Sequence, residues 1–135
     1  MVKKFVVGIL IKNDKYLAEE RQEYEDYFPG KVIFPGGLIK KDETSEKALV
    51  REMEEELTIL IKKYYFVGEF YYKDGASSKV YAITKWKGSP EPIEAKRLVW
   101  VKKENQLSNK TDKEMFKKIK GKGFQYRPIE TKSEI

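Results

Sequence analysis

The chain opens on an apolar run, Phe5-Val6-Val7 and Ile9-Leu10-Ile11, which stops at Lys12-Asn13-Asp14-Lys15 and resumes at Tyr16-Leu17-Ala18. Two apolar runs flanking Asn13-Asp14 predict a β-hairpin. No small-residue cleavage site follows the first run, so it reads as a strand and not as a secretory signal. The polar and aromatic stretch 19–30 predicts a loop, with Arg21 at the end of the second strand, leading to a short strand at Val32-Ile33-Phe34. Pro35-Gly36-Gly37 then reads as a turn. From Ala48 to Leu57 no Gly or Pro interrupts a helix, and Thr44 or Ser45 supplies its N-cap.

At about 100° per residue this helix has two faces. Leu49, Val50, Met53 and Leu57 fall on one and should meet the core, while Glu52, Glu55 and Glu56 project from the other. Beyond the helix, the β-branched and aromatic segments 59–61 and 64–72 predict strand, 73–78 a turn, and 79–86 a strand pairing back. A loop at 88–92 precedes a short buried strand at 98–101, and Thr111 or Asp112 caps a final helix ending at Ile119. Past Gly121 the basic, polar sequence suggests a loose tail. Strands on both sides of one helix, with a second helix late, predict a single α/β domain with a mixed sheet between helices.

Composition narrows the chemistry. One hundred and thirty-five residues, 37% charged and 40% hydrophobic, suit one soluble globular domain with its own core. No apolar run is long enough to span a membrane, so no membrane partner is expected. The absence of Cys removes disulfide and thiol chemistry and fits a cytoplasmic location. The absence of His removes an imidazole base and a His-ligated metal, which leaves acid–base work to carboxylates, Lys or Tyr. The net charge is nevertheless +6, which would draw polyanions such as nucleotides toward an acidic site.

The i, i+3, i+4 spacing of Glu52, Glu55 and Glu56 brings like charges together at a cost of a few tenths of a kcal/mol for each i, i+4 pair. A hard divalent cation, Mg²⁺ or Mn²⁺, would offset that cost, since both prefer oxygen ligands. A solvated acidic surface explains the helix alone equally well. It does not explain the rest of the pattern, which runs Gly37, Glu43, Arg51-Glu52-Met53, Glu55-Glu56, Thr58-Ile59 behind the lead-in Phe34-Pro35-Gly36.

That pattern resembles the signature of the Nudix hydrolases, which place a glycine, a glutamate, and then Arg-Glu-apolar-x-Glu-Glu-x-Gly-apolar at this spacing. Only Thr58 departs, standing where the family has Gly. Either the helix exits differently here or the position tolerates strain. The resemblance implies an α/β/α sandwich, a carbonyl from the Gly36-Gly37 segment joining the metal, and Glu52, Glu55 and Glu56 as ligands. It also implies an Arg51–Glu43 pair that fixes the loop to the helix. Glu94, in the loop before the strand containing Trp100, is the candidate fourth carboxylate, with an ordinary exposed Glu as the alternative. Arg21 faces phosphates in similar proteins, and an exposed Arg is the alternative. The loop aromatics Tyr24, Tyr27 and Phe28 either stack on a base or, the favoured reading, cover the core.

The reaction implied is attack of water on phosphorus in a diphosphate bridge. Glu52 is the first candidate base, and Glu55 or Glu56 the next. Patterns that mark other branches are missing or broken: Asp74 and Ala76 stand where ADP-ribose and dinucleoside polyphosphate types carry Pro and Tyr, and Asp26 breaks the coenzyme A pattern. Length and layout resemble the MutT branch, whose members cleave (d)NTPs to the monophosphate and pyrophosphate. There a polar side chain at the start of the last helix reads the base, here Asp112 or Asn109. The expected partner is thus a small-molecule nucleotide, with a homodimer as the form of any self-association. Two alternatives stay open: action on other nucleoside diphosphate derivatives, including RNA 5′ ends, which a basic tail of Lys117, Lys118, Lys120 and Lys122 would suit although a solvated face of the last helix is the favoured reading of these lysines, and a Nudix-fold binding module without turnover.

Overall fold

In the computed structural model, which describes residues 2–121 and 129–130, β1 (Lys4–Lys12) runs through the middle of the sheet. It pairs antiparallel with β2 (Lys15–Glu20) and β4 (Gly36–Leu38), and parallel with β6 (Ser77–Lys87). β3 (Val32–Ile33) and β7 (Arg97–Val101) pair with β2, and β5 (Leu60–Tyr71) returns along β6. The expected mixed sheet therefore forms, with eight strands among the described residues.

Successive side chains of a strand point to opposite faces, so β1 feeds two cores. Val7 and Ile9 join Met115, Phe116 and Ile119 of α2 (Lys110–Lys120). Val6 and Leu10 join Leu49, Met53 and Leu57 of α1 (Ser45–Leu57). One helix on each face makes the α/β/α sandwich. Among the described residues no helix is long and apolar enough to cross a membrane.

Several local expectations hold for identifiable reasons. Asn13 and Asp14 take φ of 53° and 61°, the pair of positive values that a tight two-residue hairpin needs. Thr44, not Ser45, caps α1, its hydroxyl accepting from the Lys47 N–H at 3.1 Å. Others are corrected. β2 extends to Glu20, so the first residues of the expected loop are strand. Gly36 and Gly37 do not turn but lie as β4 beside Val7 and Val6. β5 is one strand, with bulges bridging the gap expected between 61 and 64. Of β7 only Val101 is buried, and Trp100 is 37% exposed, because the strand pairs with β2 alone.

At the end of the chain, α2 begins at Lys110 with Asn109 as its N-cap, so neither Thr111 nor Asp112 caps it. Lys117, Lys118 and Lys120 close its last turn, exposed on the solvated helix face of the favoured reading, where positive charge favours the carbonyl end of the dipole. Most of the expected loose tail, with Lys122, lies outside the described residues. Within it, Ile129–Glu130 form β8, a two-residue strand against β5.

Thr58 resolves the open question about the helix exit: it adopts the left-handed conformation, φ 59° and ψ 34°, that Gly would adopt freely. The exit is the ordinary one, so the strain is tolerated. Because a left-handed L-residue costs roughly 1–2 kcal/mol, Thr58→Gly should stabilise the protein by about 1 kcal/mol and raise Tm by a few degrees in thermal unfolding. An unchanged or lower Tm would show the strain to be relieved elsewhere.

Candidate active site

The site starts where α1 lies over β4. A Cβ on Gly37 would fall 2.3 Å from the Glu52 carboxylate, and one on Gly36 would fall 2.1 Å from the Val6 carbonyl. Both positions exclude a side chain, Gly37 because α1 lies so close above β4 and Gly36 because the backbone of β1 does. Arg51 locks the contact. Its Nε and Nη2 donate to both oxygens of Glu43 at 2.7 and 2.9 Å, Nη2 also donates to the Leu38 carbonyl, and Nη1 donates to Glu52 and Glu55. With the Arg51 guanidinium and the Lys40 N–H both donating to it, the Glu43 carboxyl is held down at about 2. The expected Arg51–Glu43 pair thus exists and fixes the loop, and neither residue lines the cleft.

That cleft encloses about 220 Å³. Its lining includes Glu52, Glu56, Glu94 and Arg21, with Gly36 and Gly37. It also includes the aromatic rings of Phe5, Tyr27, Phe28 and Tyr72. Tyr27 meets Phe5 edge-on at 5.6 Å and Phe28 leans on Tyr72 at 6.0 Å, so these two loop aromatics cover β1 and form a wall of the cleft at once. Tyr24 is 75% exposed and does neither. Asp112 lines the cleft as a buried acid whose Oδ1 accepts from the Phe34 N–H at 3.2 Å, and burial lifts it to about 6.

Glu94 reaches the cleft because the end of α1 holds its loop. The Leu57 and Glu56 carbonyls, left without partners by the helix, accept from the Glu91 and Ile93 N–H groups at 3.0 and 3.4 Å. Arg21 is held by three groups: Glu19 at 3.2 Å, Glu25 at 3.1 Å and the Tyr27 carbonyl at 3.0 Å. Glu55 departs from the expected trio. It is 55% exposed, turns to Arg51 and is not among the lining residues.

Glu19 is the residue that the sequence analysis missed. It is 1% exposed, and its Oε1 has no hydrogen-bond partner among the described residues. Its position in phase with the inward Leu17 on the same strand was the available signal. Burial pushes Glu56 up to about 8, helped by the like charges of Glu19, Glu52 and Glu94. Burial likewise raises Glu52 and Glu19.

Among the described residues no three acidic groups are already drawn into ligating geometry. Arg51 accounts for this in part, since it neutralises Glu52 and Glu55 on one side. The donor set still fits a hard divalent cation. It is all oxygen, it carries more negative charge than its arginines balance, and it contains an orphaned buried carboxylate oxygen.

An acidic helix set against a glycine strand, within an α/β/α sandwich, defines a recognisable class. The chain belongs to the NUDIX domain family, whose profile matches residues 2–119. It is 33% identical over 101 residues to an 8-oxo-dGTP diphosphatase of Buchnera aphidicola (subspecies Schizaphis graminum), covering 71% of this chain and 74% of that one. It is 36% identical over 101 residues to the 8-oxo-dGTP diphosphatase of Haemophilus influenzae, with the same coverage. Its fold matches the crystal structure of a MutT NUDIX hydrolase from Burkholderia pseudomallei with a TM-score of 0.76 at 19% identity, over 88% of this chain and 98% of that one.

Two pH effects follow. The Glu43 carboxyl is depressed by folding, so its stabilisation is fully present above the unfolded value of about 4.3 and is lost as pH falls through about 2. Between pH 4.5 and 2, urea melts of the wild type should therefore lose more stability than those of Glu43→Gln; parallel losses would remove the pair from the account. Glu56, raised to about 8, must shed a proton to bind a cation. Titration calorimetry with Mn²⁺ in buffers of different ionisation heat should accordingly show proton release and tighter binding at pH 8 than at pH 6; pH-independent binding would place the cation elsewhere.

Proposed function

We propose that this Nudix hydrolase cleaves a nucleoside triphosphate to the monophosphate and pyrophosphate, with an oxidised purine such as 8-oxo-dGTP as the first candidate substrate. The observation that carries the reading is the mixed lining of the cleft, which sets carboxylates and Arg21 together with aromatic rings, Phe5, Tyr27, Phe28 and Tyr72 among them. A phosphate chain suits the first group and a base the second. The names of the relatives agree with this choice.

Glu52, Glu56 and Glu94 would hold the cation, with Glu55 available from the exposed side of α1. Mg²⁺ is the favoured ion and Mn²⁺ the second. When bound, such an ion neutralises phosphate oxygens and lowers the pKa of the attacking water. Arg21 binds the phosphate chain and orients the bridge. Glu52, with Arg51 on one oxygen and the Gly37 backbone against it, takes the proton of the water as its oxygen bonds to phosphorus. The bridging P–O bond breaks and pyrophosphate leaves. Tyr27 and Phe28 shield the base from water, and Asp112, or Asn109 beside it, reads the base edge. A cytoplasmic site of action fits a chain without cysteine.

A turnover screen with Mg²⁺ should give pyrophosphate from nucleoside triphosphates, fastest with 8-oxo-dGTP, and little from nucleotide sugars, dinucleotides, coenzyme A or RNA 5′ ends. Glu56→Gln should lower kcat by about a hundredfold or more and Glu55→Gln by less, since only Glu56 lines the cleft. Asp112→Ala should reduce discrimination among purines by about tenfold or more. Monophosphate release from RNA ends with no turnover of free nucleotides would overturn the assignment.

A further inference from the structure

Glu19 is buried from both sides, paired through β2 with Ile33 of β3 and Leu98 of β7, and 1% exposed. A carboxylate so placed normally has every oxygen satisfied. Here Oε2 has the 3.2 Å bond from Arg21, and Oε1 has no N–H or hydroxyl donor among the described residues, while the Glu56 carboxyl lies within hydrogen-bonding reach of the side chain. Were Glu19 simply a counter-ion for Arg21, a second bond from the guanidinium or a backbone N–H would be expected at Oε1. The neighbour that feels it most directly is another acid, Glu56, which lines the cleft together with Arg21. Glu19 thus lies behind two cleft residues of opposite charge and has one oxygen that no N–H or hydroxyl group serves among the described residues.

Resting on the reading that Glu52 and Glu56 hold a divalent cation, we propose that Glu19 supports that cation from behind. Its free oxygen accepts a hydrogen bond from a water carried by the ion, and its other oxygen fixes Arg21 toward the phosphates. A hydrated divalent ion supplies the donor that Oε1 lacks, and the ion's charge offsets the crowding of Glu19 and Glu56. Glu19 is then a positioning residue shared by the metal and the phosphate chain. Carboxylates that act on a metal through its ligands or waters typically govern its affinity by 10–100-fold.

The test measures Mn²⁺ affinity on the free protein without nucleotide, by electron paramagnetic resonance of the unbound ion. Glu19→Gln, which keeps the side-chain size, should weaken Mn²⁺ binding about 10–100-fold. Arg21→Gln should not weaken it, and should instead raise KM for the nucleotide. If Glu19→Gln does not fold, Glu19→Met fills the same volume without a polar atom and carries the same expectation. Binding by Glu19→Gln within twofold of wild type, alongside a loss in Glu56→Gln, would overturn the role of Glu19 and leave the cation site standing. No Mn²⁺ binding by the wild type, or binding unaffected by Glu56→Gln, would overturn both.

Discussion

Arg51 donates five hydrogen bonds, to Glu43, Glu52, Glu55 and the Leu38 carbonyl, and is itself only 20% exposed. Exposed ion pairs contribute little, but a guanidinium that engages a carboxylate through two nitrogens and a backbone carbonyl beside it fixes geometry as well as charge. Its effect is to hold the segment between β4 and α1 against the helix. The closeness of Gly37 to Glu52 then follows, because the strand cannot drift away from a helix tied to its far end. One cation inside the protein therefore sets the separation that the acidic cleft needs.

The cleft itself is an electrostatic compromise. The α1 acids face two arginines with different tasks: Arg51 neutralises from the loop side, and Arg21 approaches from β2 on a tether of Glu19, Glu25 and Tyr27. Between them Glu56 is buried among like charges, and burial first, then Glu19, Glu52 and Glu94, raise its carboxyl to about 8. A basic protein can keep such a pocket because its surplus lysines lie elsewhere, as in the last turn of α2. An incoming polyanion would then be drawn by the field of the whole basic chain.

Much of this was legible in the sequence. The apolar run of β1, the Asn13-Asp14 turn and the uninterrupted α1 are encoded by neighbours along the chain, and they stand as expected. So does the Arg51–Glu43 pair, which the family resemblance implied. Glu19 was not legible by composition, since an acid at a polar-looking strand end reads as solvent-exposed until β3 and β7 close over it. The strand character of Gly36 and Gly37 was hidden for the same reason, because their partners on β1 are remote in sequence. Glu55 lies outside the cleft lining and is 55% exposed, since one residue along the helix is about 100° around its axis from Glu56.

Glu94 shows how a helix end can build part of a site. The last carbonyls of α1 have no partners within the helix, and buried or half-buried orphans of this kind must find donors. Thr58 turns left-handed and redirects the chain, which leaves the Glu56 and Leu57 carbonyls open to the loop that follows β6. Gly88, at φ 102° and with Thr58 O within 3.2 Å of where a Cβ would stand, brings that loop close. Glu91 and Ile93 then donate, and the far side of the loop is pinned where Lys96 N–H bonds the Glu20 carbonyl at 2.8 Å. Glu94 lies between these two anchors and, though exposed, lines the cleft. The strained residue at the end of the acidic helix and the acid that joins its cluster from another loop are thus consequences of one requirement, the satisfaction of the terminal carbonyls of α1.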